Sequence, residues 1–323
     1  MDMLTGTIFQ TAVNLISASG SAILAVIYFR YVRLDRPPVG VFNSRDILMI
    51  LCFLTSLPFL YLIVPSYVLT GFLILTFSSA LYIVLRPFLR PRYLWLLVIF
   101  LLAVNIMVTE TLLGTRSGWQ LYWVLTDIIV LGAIVGVSNL YVQGGMRLRH
   151  VAWFALFLAF YDAFFSLVVP ISLQLADRFE GQPLDPSIGF TIGPYSANLG
   201  IGDLLVFTLF IVAAYKGFGR RGVISSLVII AIFGALIPSL SPLVVAAFVR
   251  TNIGIVIPVQ TFFGPVAFVT YFLLSRRSKE RSMAQWLSIQ AAEGHEPIRV
   301  TRQRPATTAL AANAQTATEV RTN

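Results

Sequence analysis

Long and almost uncharged apolar runs follow one another along nearly the whole chain, and they leave few folds open. They lie at about 8–29, 47–65, 67–87, 93–114, 120–141, 151–176, 199–218, 222–249 and 253–275. A helix needs roughly 20 apolar residues to cross the hydrocarbon core of a bilayer. Charged residues make up 11% of the chain, against about 25% in a soluble domain, and mean hydropathy is +0.83. The expected fold is all-α: a polytopic membrane protein with about nine transmembrane helices in a single domain over residues 1–275. Backbone groups facing lipid must be satisfied within the protein, which favours helices. An outer-membrane barrel would need short alternating strands.

The formal net charge of +9 would suggest nucleic acid in a soluble protein. Here the basic residues sit in short loops and in the tail, so they report topology, and no nucleic-acid partner is expected. Arg30, Arg33, Arg36 and Arg45 lie between runs one and two, Arg90 and Arg92 between three and four, and Arg147 and Arg149 between five and six. Lys216, Arg220 and Arg221 lie between seven and eight, and Arg276, Arg277, Lys279 and Arg281 follow run nine. The alternation predicts an outside N-terminus and a cytoplasmic C-terminus. It also predicts a multi-pass protein with the bilayer as its surroundings, in the plasma membrane if the source is prokaryotic. The N-terminus lacks a basic region and a clear cleavage site, so the first run is expected to be retained. Cys52, alone in an apolar run, rules out a disulfide framework. The tail from 276 to 323 is basic. Lys279–Ala292 is expected to form a surface helix anchored in the membrane by Trp286, and the Ala-, Thr- and Gln-rich remainder is expected to be disordered.

Within this background two acids stand out. Asp162 lies in Phe160-Tyr161-Asp162-Ala163-Phe164, and Asp203 in Gly200-Ile201-Gly202-Asp203-Leu204. An intramembrane carboxylate is costly and points to function. At 1.5 Å per residue, a straight sixth run would put Asp162 about 21 Å from its outer end, and Asp203 only about 7 Å below residue 198. Breaks at Pro170 and near Pro194 would bring both to roughly 12 Å depth, with catalytic helices over about 151–176 and 194–218. Gly200 and Gly202 are expected to loosen the helix start and let another backbone approach. Two carboxyls in contact share a proton. The ionised one can then activate water while the protonated one polarises a carbonyl.

These segments resemble the intramembrane aspartyl proteases of the presenilin and signal peptide peptidase family. The likeness rests on Tyr161-Asp162 and Gly200-Ile201-Gly202-Asp203 in the sixth and seventh of nine runs. The resemblance implies an endopeptidase that cuts transmembrane helices, with Asp162 and Asp203 catalytic and Tyr161, Gly200 and Gly202 in support. An outside N-terminus matches the signal peptide peptidase branch, which implies substrates with a cytoplasmic N-terminus. Members carry Pro-Ala-Leu at the start of the ninth span. The matching stretch here, Thr251 to Gln260, has Pro258 without that motif, and Pro238-Ser239-Leu240 lies inside run eight.

The loop at about 177–198 carries Asp177, Glu180 and Asp185. Its second half, residues 187–193, alternates weakly and reads equally as a short strand or an irregular loop. As a strand, its edge at Ile188, Phe190 and Ile192 would receive a substrate strand, with Pro258 also near the substrate. Glu110 and Asp127, nearer the outer ends of their runs, are expected to meet water or each other. Trp95, Trp119 and Trp123 are expected in an aromatic belt. No cofactor or metal is implied, since two aspartates and water suffice and the histidines, His150 and His295, lie outside the runs. Two alternatives remain at this point. One is a proton- or cation-coupled transporter using buried carboxylates. The other is an inactive relative that binds membrane helices without cutting them. Substrate identity and oligomeric state are not encoded in any recognisable signal.

Overall fold

A computed structural model describes residues 3–34, 44–167, 178–179, 181–193, 195–248, 258–293 and 298–299. Among the described residues, nine long helical stretches follow in order. They are α1 Met3–Tyr31, α2 Ser44–Ile63, α3 Ser66–Leu85, α4 Pro91–Leu112, α5 Arg116–Gln143, α6 Leu148–Leu167, α7 Ile201–Phe218, α8 over 220–248, and α9 Val259–Arg277. Each falls on one of the apolar runs. Seven of them, α1 and α3 to α8, are long and apolar enough to cross a membrane, so the chain is an integral, multi-pass membrane protein. Of the other two, α2 has a shorter apolar part, Leu48–Ile63. In α9 the apolar stretch is bounded by Gln260 and Thr261 at one end and by Arg276 and Arg277 at the other.

Local signals set the boundaries. Pro65 and Pro258 precede α3 and α9, and Pro91 opens α4, where a missing N–H costs nothing. Thr115 caps α5, its hydroxyl accepting from the Gly118 N–H at 3.0 Å. Gly219, at φ +65°, makes the turn from α7 into α8, a conformation that favours glycine. In α8 the stretch Ile230–Leu236 is π-helical and is followed by Pro238 and, inside the helix, Pro242.

α7 is the centre of the bundle. From Val206 to Ala214 every residue is buried, with α1, α5, α6 and α8 packed around it. The closest helix pairing is α6 with α9. A Cβ placed on Gly264 would lie 2.3 Å from the Ala155 carbonyl oxygen and 2.8 Å from the Ala159 methyl. In lipid, where apolar contact with a neighbouring helix gains little over contact with acyl chains, such small residues permit the close packing that holds helices together.

The expected start of the seventh span is corrected. Residues 195–200, read as helix, form strand β3 of a hairpin, and α7 begins only at Ile201. Its partner, β2, covers Ser187–Ile192, so the weakly alternating segment is a strand. The two pair antiparallel, with Ile188 opposite Leu199 and Ile192 opposite Tyr195. The helix breaks expected at Pro170 and Pro194 concern residues outside those described, as do Asp177 and Glu180.

The tail differs from expectation at its start. Helix α10, Met283–Ala292, has a capping box between Ser282 and Gln285. Trp286, expected in the membrane surface, is 3% exposed and stacks on Phe29, 4.7 Å between ring centroids, with the Arg33 guanidinium over its ring. The helix is thus fastened to the bundle itself. Ile298–Arg299 pairs in parallel with Val32–Arg33, and the rest of the Ala- and Thr-rich tail lies outside the described residues.

Candidate active site

Three helices and the hairpin build the site. Asp162 lies on α6, a little more than one turn before Leu167. Asp203 lies in the first turn of α7, directly after β3. The two carboxyl groups are close enough to interact electrostatically, and both are half-buried. The third helix was not foreseen. Gln260, in the first turn of α9, donates from Nε2 to Asp203 Oδ1 at 2.9 Å. The residue is 2% exposed, and it holds one of the four oxygens of the pair in a fixed role as acceptor. Pro258, the N-cap residue of α9, is what starts the helix at the position from which Gln260 reaches. The signal available in the sequence was an uncharged polar residue two places after a proline in an otherwise apolar stretch.

The supporting residues are placed less uniformly. Tyr161, half-buried, packs on Phe165 at 4.5 Å between ring centroids. Its hydroxyl has no partner among the described residues. The close approach of another backbone expected at Gly200 and Gly202 is not seen. Among the described residues a Cβ on either would meet nothing within 4 Å, and both are exposed. They border open space on either side of Ile201, next to Asp203. Three of the buried side-chain polar atoms that lack a partner belong to this neighbourhood: Tyr161 Oη, Gln260 Oε1 and Thr261 Oγ1. Buried polar groups are normally paired, so each exception asks for an explanation.

The hairpin is seated on α5. The Gly189 N–H donates to Asp127 Oδ1 at 3.0 Å, and Trp123 Nε1 donates to Thr191 Oγ1 at 2.9 Å. Gly189 is needed here, because a Cβ would come within 2.7 Å of the Trp123 ring and 2.8 Å of the Ala197 carbonyl. Trp123 is therefore completely enclosed rather than part of an aromatic belt, whereas Trp95 remains exposed. Asp127 is a hydrogen-bonded structural acid, and Glu110 is exposed on α4, so the two do not form a pair. Asp185 is buried, accepting from Ser187 Oγ at 2.7 Å and Tyr122 Oη at 3.4 Å. Just before it, Leu184 has φ +60° and is held by burial and by its N–H bond to Asn105 Oδ1 at 3.0 Å. A left-handed conformation at a branched residue costs about 1–2 kcal/mol, so the turn into the hairpin is enforced from outside.

Pairing direction follows from these bonds. Ile201 N–H bonds to the Pro186 carbonyl at 2.8 Å, continuing the ladder, while the Gly189 N–H points away to Asp127. By the alternation of an antiparallel ladder, Ile188, Phe190 and Ile192 direct their backbone groups at β3. The outward groups of β2 belong to Ser187, Gly189 and Thr191, and α5 occupies that side at Gly189 and Thr191. On β3 the outward groups belong to Ser196, Asn198 and Gly200, all exposed. Ile188 itself is buried in the core, Phe190 is half-buried, and Ile192 is exposed.

Among the described residues no three His, Cys, Asp or Glu side chains gather as metal ligands would. No protein-family model matches the chain, and no curated protein matches it. The chemistry open to the site is that of two interacting carboxyls, one of them held by an amide, beside open space at the end of a strand.

Proposed function

We propose that this protein is an intramembrane aspartyl endopeptidase of the presenilin and signal peptide peptidase type. What supports the reading is that Asp162 and Asp203 stand on separate helices within electrostatic range of each other, with an amide bound to one of them. In a carboxyl pair with one shared proton, the ionised member takes a proton from water as the water oxygen attacks the peptide carbonyl. The protonated member donates to the carbonyl oxygen as it becomes an alkoxide. Collapse of the tetrahedral species breaks the C–N bond, and the amine leaves with a proton returned by the pair. No cofactor is required.

In this reading all nine helices, α1 to α9, span the bilayer, with the N-terminus outside and the C-terminus cytoplasmic, following the alternation of basic loops. The substrates are transmembrane helices with a cytoplasmic N-terminus, unwound locally before attack because a helical peptide bond is protected by its own hydrogen bonds. The unwound segment adds as a strand. The outward edge of β3, at Ser196, Asn198 and Gly200, is better placed for this than that of β2. It is exposed and runs straight into Asp203, and the space beside Gly200 and Gly202 leaves room for the scissile bond. Asp127 and Glu110 lend nothing to a carboxylate relay for transport, since one is tied to Gly189 and the other is exposed on α4.

The test is cleavage of a panel of single-span substrates with cytoplasmic N-termini by the purified protein in bilayers. Wild type should cut, and Asp162→Asn and Asp203→Asn should each lose at least about 10²–10⁴-fold in rate. Wild-type cleavage that persists in either variant contradicts the proposal, as does its absence across the panel.

A further inference from the structure

Gln260 has two ends, and only one is used. Its Nε2 donates to Asp203 Oδ1, but its Oε1 is shut off from solvent and has no partner among the described residues. A buried carbonyl left unpaired is destabilising and native structures rarely keep one, so one beside a candidate catalytic acid asks for a partner. An oxygen of this kind only accepts, so the absent partner is a donor. The hydroxyls of Tyr161 and Thr261, also unpaired, can accept or donate. A peptide segment unwound from a helix brings one free N–H and one free C=O per residue into a place without bulk water. It is thus the ligand that supplies what these groups lack.

We propose that Gln260 is a two-sided positioning residue whose amide nitrogen orients Asp203 while its carbonyl receives a backbone N–H of the bound peptide. The inference rests on the peptidase reading and deepens it. Because Oε1 is enclosed, the peptide reaches it by displacing the groups that cover it. A bond formed there bears on Asp203 through the same amide, so seating of the peptide and orientation of the aspartate become one event. With Oδ1 accepting from Gln260, the proton shared by the pair is confined to Asp203 Oδ2 or to Asp162.

The experiment is an ester scan. In a cleaved single-span substrate, each non-scissile backbone N–H around the cleavage site is replaced in turn by an ester oxygen. KM and kcat are then compared for wild type and Gln260→Met, an apolar replacement of similar length. In wild type one ester position should raise KM about tenfold, the worth of one such bond. In Gln260→Met the all-amide substrate should show that penalty already, with a lower kcat, and the ester at that position should add nothing. A merely structural role would lower activity without erasing the effect of one ester. Should Gln260→Met fail to fold, Gln260→Asn, which retracts the same amide, carries the same expectation. Wild type insensitive to every ester overturns the inference, and so does sensitivity that survives in the variant. In both cases cleavage lost in Asp162→Asn leaves the peptidase reading standing. Absent wild-type cleavage, or cleavage intact in Asp162→Asn, overturns the peptidase reading and this inference with it.

Discussion

At the Phe218 end of α7 several buried polar side chains are tied to other elements, whereas at the Ile201 end three side chains keep an atom without a partner among the described residues. Near Phe218, the Lys216 ammonium, 1% exposed, donates to the Val142 carbonyl at the end of α5 and the Met146 carbonyl in the α5–α6 connection. Glu280, beyond α9, accepts from the Leu148 N–H at 2.7 Å, and the Arg281 N–H bonds to the Gly217 carbonyl at 3.1 Å. Gln143 reaches Leu34 N–H and Val32 O, both at 3.0 Å, and Trp286 closes over Phe29 and Tyr215. Near Ile201, open space borders both glycines, and Tyr161, Gln260 and Thr261 each keep an unpaired atom. Polar groups in a bundle are costly wherever they lie. Where they are matched they hold elements together, and where they are left unmatched beside two acids they are the groups the proposed peptide would satisfy.

Substitutions should separate the two ends. The largest effect is expected at the seam that joins them. Gly264→Leu drives a side chain into Ala155 and Ala159, and should cost about 1–3 kcal/mol or more. It should also abolish cleavage, because α6 carries Asp162 and α9 carries Gln260. Thermal unfolding in detergent and a cleavage assay read both. Next, Lys216→Met strands the Met146 and Val142 carbonyls and should cost about 1–3 kcal/mol, while cleavage per folded molecule stays within about twofold of wild type. A variant of normal stability with no activity would break the division between the ends. Asp127→Ala leaves the Gly189 N–H unpaired, for about 1 kcal/mol. It should raise KM more than it lowers kcat, because it loosens the hairpin and not the carboxyl pair. The smallest stability effect belongs to Gly202→Ala. In open space in the first turn of α7 it should leave stability unchanged or raise it by up to about 1 kcal/mol, yet slow cleavage several-fold by filling room meant for substrate. Unaltered cleavage would show that the space is not used.

The helices were legible because the apolar runs are long, seven of them giving helices long enough to cross a bilayer, and Asp162 and Asp203 stood out because acids are rare in such runs. β3 was not. Bringing Asp162 and Asp203 to one depth asks for a helix start near Pro194, so Tyr195 to Leu199 reads as helix. What decides for a strand is distant: α5 supplies Trp123 and Asp127 to seat β2, and β2 then templates β3. Trp123 was misjudged for the same reason, since only the fold shows that Gly189 lies on its ring. Gln260 reaches across 57 residues of sequence to Asp203, and no local pattern announces such a contact. At Gly200 and Gly202 the structure has space where the sequence suggested contact between helices.

The most direct test of the pairing is the rate of substrate cleavage by Asp162→Asn, Asp203→Asn and the double variant, measured side by side on folded protein. Groups that act as one unit are not additive. Each single variant is expected to be as inactive as the double. Losses that multiply between the two sites, or a single variant that keeps most of its activity, would contradict a catalytic pair.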